Sequence, residues 1–191
     1  MDPQHTGIEH ALEQFLRSPS YRSFRPILDY WGRAHTLPPD LGHRMCDAVF
    51  QAAESPDWRL ARVGIPEMGS IAGGLKRKAD IIARGLLSKC ESVRVASWGA
   101  ITCSRHGLRL SRMVLSRLEA KPTPELMLWE VLMAVDQMAD HLTARRDRQR
   151  LVHFVKRLEA HGTRSYLVEW KIEETLYSHL HLNQPREEQL G

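Results

Sequence analysis

Arginine recurs along this 191-residue chain at spacings that gather cations on single helical faces. Arg146, Arg150, His153 and Arg157 fall at i, i+4, i+7 and i+11, one face of a helix if the segment is helical. Arg105, Arg109 and Arg112 follow the same rule, although Gly107 interrupts their alignment. Lys76, Arg77 and Arg84 form a rougher stripe broken by Asp80. A guanidinium presents a planar fork of N–H donors that matches a carboxylate or a phosphate bidentately. Such stripes therefore fit an acidic protein surface or a nucleic-acid backbone. The competing expectation is a solvated helix face whose arginines pair with neighbours such as Asp147 and Glu159.

Other chemistries find less support. The ten histidines are scattered, and the closest pair, His179 and His181, points to different helical faces. Cys103 and His106 share a face without a third ligand nearby, so neither metal nor cofactor is expected. Gly69-Ser70-Ile71-Ala72-Gly73-Gly74-Leu75-Lys76 imitates a phosphate-binding loop, but leucine holds the lysine position and no Ser or Thr follows Lys76. That segment is expected to be a turn between helices. Trp170 and Glu174, four apart, are an aromatic and a carboxylate on one face. The tryptophans, Trp58, Trp98, Trp129 and Trp170 with Trp31 before them, fall one per first helix and are expected to fill the core between stacked hairpins.

The composition, 42% hydrophobic and 26% charged, is that of a folded globular chain. No apolar run reaches the length of a membrane span, so no membrane association is expected. The opening Met1-Asp2-Pro3-Gln4-His5 lacks the features of a signal peptide, and three cysteines suit a reducing compartment. A cytoplasmic location is the expectation. The net charge of +4 is uneven. Residues 56–120 hold twelve Lys/Arg against five Asp/Glu, whereas residues 1–55 and 121–191 are each slightly acidic. An acidic partner is to be sought in the basic middle third.

These residues must be positioned by helices. Ser18-Pro19, Ser55-Pro56 and Thr123-Pro124 each read as a capping hydroxyl followed by proline at the first helical position. Leu75, Ala79, Ile82 and Leu86 form one apolar stripe, and Leu151, Val155 and Leu158 another. No strict alternation argues for a strand. Helices are expected near 6–17, 19–34, 40–54, 56–72, 75–88, 91–106, 108–119, 124–141, 144–161 and 164–181. The fold class is all-α, as one domain over 1–182 with a polar tail at 183–191.

The helices come in pairs, with first members near 19, 56, 91, 124 and 164 and second members near 40, 75, 108 and 144. That spacing is typical of helical-hairpin repeats. Two first members share residues at an offset of 35: Trp58-Arg59-Leu60-Ala61 with Gly64, and Val93-Arg94-Val95-Ala96 with Gly99. In these residues the chain resembles the HEAT-repeat family, most closely at Glu91–Ala96. The resemblance implies a superhelix of four to five antiparallel pairs whose second helices line the concave surface. The arginine stripes lie on those second helices. The resulting expectation is a non-enzymatic adaptor, regulator or immunity-type protein that holds an acidic protein surface through Lys76, Arg84, Arg105, Arg109, Arg112, Arg146, Arg150 and Arg157. The alternative is a nucleic-acid-binding protein similar to helical-repeat DNA glycosylases, with Trp170 and Glu174 at the base.

Overall fold

The computed structural model describes residues 3–32, 38–104, 106–160 and 165–180, and every regular element among them is helical. In order these are α1 (Pro3–Arg17), α2 (Tyr21–Trp31), α3 (Pro39–Ala53), α4 (Trp58–Glu67), α5 (Leu75–Leu86), α6 (Glu91–Thr102), α7 (Gly107–Glu119), α8 (Leu128–His141), α9 (Arg145–Glu159) and α10 (Tyr166–Glu174). Short 3₁₀ turns extend α4 and precede α8, and a π turn at Thr175–His179 follows α10. The fold is all-α. No helix among the described residues is long and apolar enough to cross a membrane. The tail at 183–191 lies outside the described residues.

The capping residues differ from the expectation. Helix α2 starts after Ser20, whose hydroxyl accepts from the Ser23 amide at 3.2 Å, while the Ser20 amide donates back to Ser23 Oγ at 3.1 Å. This reciprocal box satisfies two terminal donors, so Ser18 is displaced from the cap and instead accepts from Ser23 Oγ through its carbonyl. Asp57 caps α4 by accepting from the Arg59 amide at 3.0 Å, and Ser55 only shapes the approach to it. After Thr123-Pro124 the chain makes a 3₁₀ turn before α8 begins at Leu128. The glycine-rich segment is a turn between helices, as expected, with Gly73 and Gly74 both at positive φ (85° and 63°), where a side chain is disfavoured.

Contacts divide the chain into two compact units, residues 1–73 and 74–191. In the first unit α1 and α2 enclose Phe15 and Phe24, whose rings lie 5.1 Å apart, and α3 packs against α4. Gly64 permits that last contact. A Cβ there would lie 2.5 Å from the Ala53 nitrogen and 2.8 Å from the Ala52 carbonyl carbon. Gly99, its counterpart at the offset of 35, faces open space.

In the second unit helices stack on their next-but-one neighbours. The first members α6, α8 and α10 lie against one another in sequence, as do the second members α5, α7 and α9. The core between the two layers is apolar, with Ile82, Leu86, Leu110, Val114, Val131, Val135, Leu151, Phe154 and Ile172 all at most 2% exposed. The expected stripe on α9, Leu151, Val155 and Leu158, is buried. The tryptophans depart from expectation. Trp58, Trp129 and Trp170 are 41%, 37% and 46% exposed, so they do not fill the core. Trp31 and Trp98 are half-buried, and Trp31 Nε1 donates to Ser70 Oγ at 3.1 Å.

Candidate binding surface of the second unit

The two layers of the second unit carry opposite charge. Helices α5, α7 and α9 together hold thirteen Lys/Arg against four Asp/Glu, a balance of +9. Helices α6, α8 and α10 hold two against seven, a balance of −5. The cause lies in the amphipathic pattern: the second helices bury leucine and valine stripes and leave arginine on the solvated half.

Within the basic layer the arginines play two roles. Arg112 grips Asp147 across the α7–α9 contact, its Nε 3.1 Å from both carboxylate oxygens and its Nη2 2.6 Å from Oδ2. That hydrogen bond, with the carboxylate charge behind it, raises the Arg112 pKa above its ordinary value. Arg150 reaches back to α7, donating from Nε to Glu119 Oε1 at 2.9 Å and from Nη2 to Ser116 Oγ at 2.8 Å. Arg117 Nε meets Asp80 of α5 at 2.7 Å. These three arginines tie α5, α7 and α9 together. Arg112 and Arg150 thus spend much of their donor capacity inside the protein.

Lys76, Arg84, Arg109 and Arg146 are exposed, and their side chains make no hydrogen bond or ion pair among the described residues. Arg145 and Lys156 on α9, which fall off the spacing of the Arg146 stripe, share that condition. Both lie on the same solvated half of α9, so helical periodicity taken over that whole half, and not over one stripe, finds them. Arg157 is half-buried with its guanidinium carbon 5.4 Å from the Phe154 ring centroid. It borders an open recess of about 250 Å³ whose other walls include Lys121 and Thr123. Arg105 lies outside the described residues. Lys78, by contrast, is 1% exposed and takes no part in the outer face.

The acidic layer is built differently: its cations are inside. Arg94 is tucked between α6 and α8, with Nε 2.8 Å from Glu130 Oε1 and Nη1 donating to the Ser88 and Lys89 carbonyls at 3.0 and 3.3 Å. It closes the α5–α6 turn. Its counterpart Arg59 is instead exposed, 5.6 Å from the Trp58 ring centroid. Lys171 of α10 is 5% exposed and meets Asp136 Oδ2 at 2.5 Å and Glu174 Oε2 at 2.7 Å. Thr175 Oγ1 donates to the other Asp136 oxygen at 2.9 Å. Burial alone would lower the Lys171 pKa, but the hydrogen bonds to Asp136 and Glu174 outweigh it and hold the ammonium above its ordinary value.

Trp170 and Glu174 sit on α10, in the layer opposite the arginine stripes, and Glu174 is engaged by Lys171. The structure therefore does not bring this pair together with the basic residues. Cys103 is exposed, and among the described residues no group of three or more His, Cys, Asp or Glu converges as metal ligands would. No family model, curated protein or solved structure matches this chain.

Proposed function

We propose that this chain is a non-enzymatic protein-binding module that holds an acidic surface of its partner against the second-helix layer of residues 74–180. The observation that carries this reading is the separation of charge between the layers, +9 on α5, α7 and α9 against −5 on α6, α8 and α10. The anchors are Lys76, Arg84, Arg109 and Arg146, joined by Arg145 and Lys156, because among the described residues their side-chain donors have no partner. Arg112 and Arg150 serve as clamps that hold the helices in register, and each offers only its outer edge. A HEAT-like arrangement, with second helices on the inner side, is supported by the next-but-one stacking of α5 to α10. In such a scaffold rigidity comes from the core, and recognition comes from cations preorganised on parallel helices.

A protein partner is favoured over nucleic acid for a physical reason. An enzyme acting on a base needs its stacking aromatic and its carboxylate in the groove that tracks the phosphates. Here Trp170 and Glu174 lie in the other layer, beside exposed carboxylates that would repel a phosphate backbone.

The test is anisotropy binding of labelled polyglutamate and of a labelled DNA duplex, at low and physiological salt. The triple variant R109E/R146E/K156E replaces three exposed side chains without internal partners, so its helicity should equal that of the wild type. Polyglutamate binding should weaken in it by about tenfold or more. Undiminished binding in the variant would refute the surface. Tighter, salt-sensitive binding of the duplex, lost in the same variant, would make the partner a nucleic acid.

A further inference from the structure

The edge of the acidic layer is composed unlike an ordinary helix surface. On α10 the one lysine is buried, while Tyr166, Leu167 and Trp170 are 77%, 61% and 46% exposed. Lys171 and Thr175 point at α8, where both bond Asp136. At about 100° per residue, Glu169 and Glu173 lie roughly 160° round the helix from Lys171, and Tyr166 roughly 140°. Tyr166, Glu169 and Glu173 therefore mark the side of α10 turned away from its neighbour in the stack, with Trp170 on the adjoining shoulder. All four are exposed.

Every exposed Lys, Arg, Asp or Glu on α6, α8 and α10 is a carboxylate: Glu91, Asp140, Glu169 and Glu173. Both cations of these helices are drawn inward and neutralised there. Burying lysine while exposing tyrosine, leucine and tryptophan runs against the usual partition. Such a concentration of exposed apolar side chains marks an interaction surface.

We propose that this edge of α10 docks a cationic amphipathic helix of a partner protein, laid against Tyr166, Glu169, Trp170 and Glu173 as α10 itself is laid against α8. The complementarity selects the occupant. Lysine or arginine at helical spacing would meet Glu169 and Glu173, which stand four residues apart on one face. The same cations would lie over the Trp170 and Tyr166 rings, whose faces attract positive charge. The apolar side of the incoming helix would cover the edges of the Trp170 and Tyr166 rings. This site is separate from the basic face, so either can fail without the other.

The experiment uses the full chain and a fluorescein-labelled amphipathic peptide of leucine and lysine, with a leucine–glutamate peptide of equal length as control. The wild type should bind the lysine peptide and ignore the glutamate one at this edge. E169K/E173K should weaken lysine-peptide binding by about tenfold or more, and W170A by about fivefold. R109E/R146E/K156E should not weaken it. Because Glu169 and Glu173 are exposed and make no ion pair among the described residues, circular dichroism of their variant should match the wild type. Equal affinity in wild type and E169K/E173K would overturn the proposal. So would sedimentation showing that E169K/E173K dissociates an oligomer, since the edge would then join two copies. A gain of peptide affinity on truncation after Leu180, with no response to E169K/E173K, would count against it as well.

Discussion

The two layers of the second unit solve the same packing problem with opposite sequence economies. The second helices α5, α7 and α9 follow the ordinary division, apolar within and basic without, and their ion pairs lie at the rim. The first helices α6, α8 and α10 invert part of that division. They take Arg94, Glu130, Asp136 and Lys171 inside and leave Trp129, Tyr166, Leu167 and Trp170 in solvent. A rim pair such as Arg117–Asp80, with its side chains 28% and 52% exposed, is screened and contributes little. An interior pair such as Lys171–Asp136, at 6% and 5%, gains little net stability over an apolar pair but is costly to break. What the acidic layer obtains is direction. A buried lysine held by Asp136 of α8 fixes the rotation of α10 about its axis, and that rotation decides which side chains face out.

The largest break in this comparison should come from K171M. It leaves Asp136 buried without its cation and should cost about 3–5 kcal/mol in a urea titration, whereas K171M/D136L should recover most of the loss. The effect has a defined pH dependence. Because the folded state holds the Lys171 proton above its ordinary value of 10.5, the contribution is complete below that pH and fades as pH rises through the folded value. Wild type should therefore lose stability above pH 10.5 that K171M has already forfeited. A K171M protein as stable as wild type at pH 7 would show that the interior pair is dispensable.

A smaller contrast separates the two glycines at the layer boundary. A Cβ at Gly107, which opens α7, would lie 2.6 Å from His141 Cγ, so G107A should cost about 1–3 kcal/mol by thermal denaturation. Gly99, in the interior of α6, has open space around it, and G99A should stabilise by about 0.5–1 kcal/mol. Equal effects of the two would mean that His141 yields freely. The smallest change is expected at the rim, where D80N, which removes the exposed carboxylate facing Arg117, should cost less than about 1 kcal/mol and leave stability less sensitive to added salt. A loss comparable to that of K171M would erase the distinction between the layers.

Much of this arrangement was legible in the sequence. First helices were expected to start near 19, 56, 91, 124 and 164, and they start at 21, 58, 91, 128 and 166. Periodicity and proline placement suffice for that, because both act within a few residues. The cap at Ser20 was missed because Ser18-Pro19 carries the commoner signature, while the Ser20–Ser23 box has serine where glutamate is usual. The inverted helices were missed for a different reason. On α10 the buried lysine and the exposed tryptophan cancel in any apolar periodicity, so the helix shows no clear face. A usable signal was present in the charges: Arg112 with Asp147 and Asp136 with Lys171 are opposite charges 35 residues apart, close to one repeat period. Lys76, Arg84, Arg109 and Arg146 are exposed, as their stripe spacing implies, but spacing alone could not show that Arg112 and Arg150 are engaged.

The next-but-one stacking has a bearing on how the second unit assembles. Within each layer the polar bonds between stacked helices join residues 31 to 40 apart, from Arg150–Glu119 to His141–Ile101. Such a unit can nucleate at any hairpin and zip outward, since each added hairpin closes a loop of similar, modest length. Unzipping then begins at whichever end has one neighbour instead of two. Within the described residues α10 is such an end, so a helix laid along its free edge would seal the stack and slow its fraying.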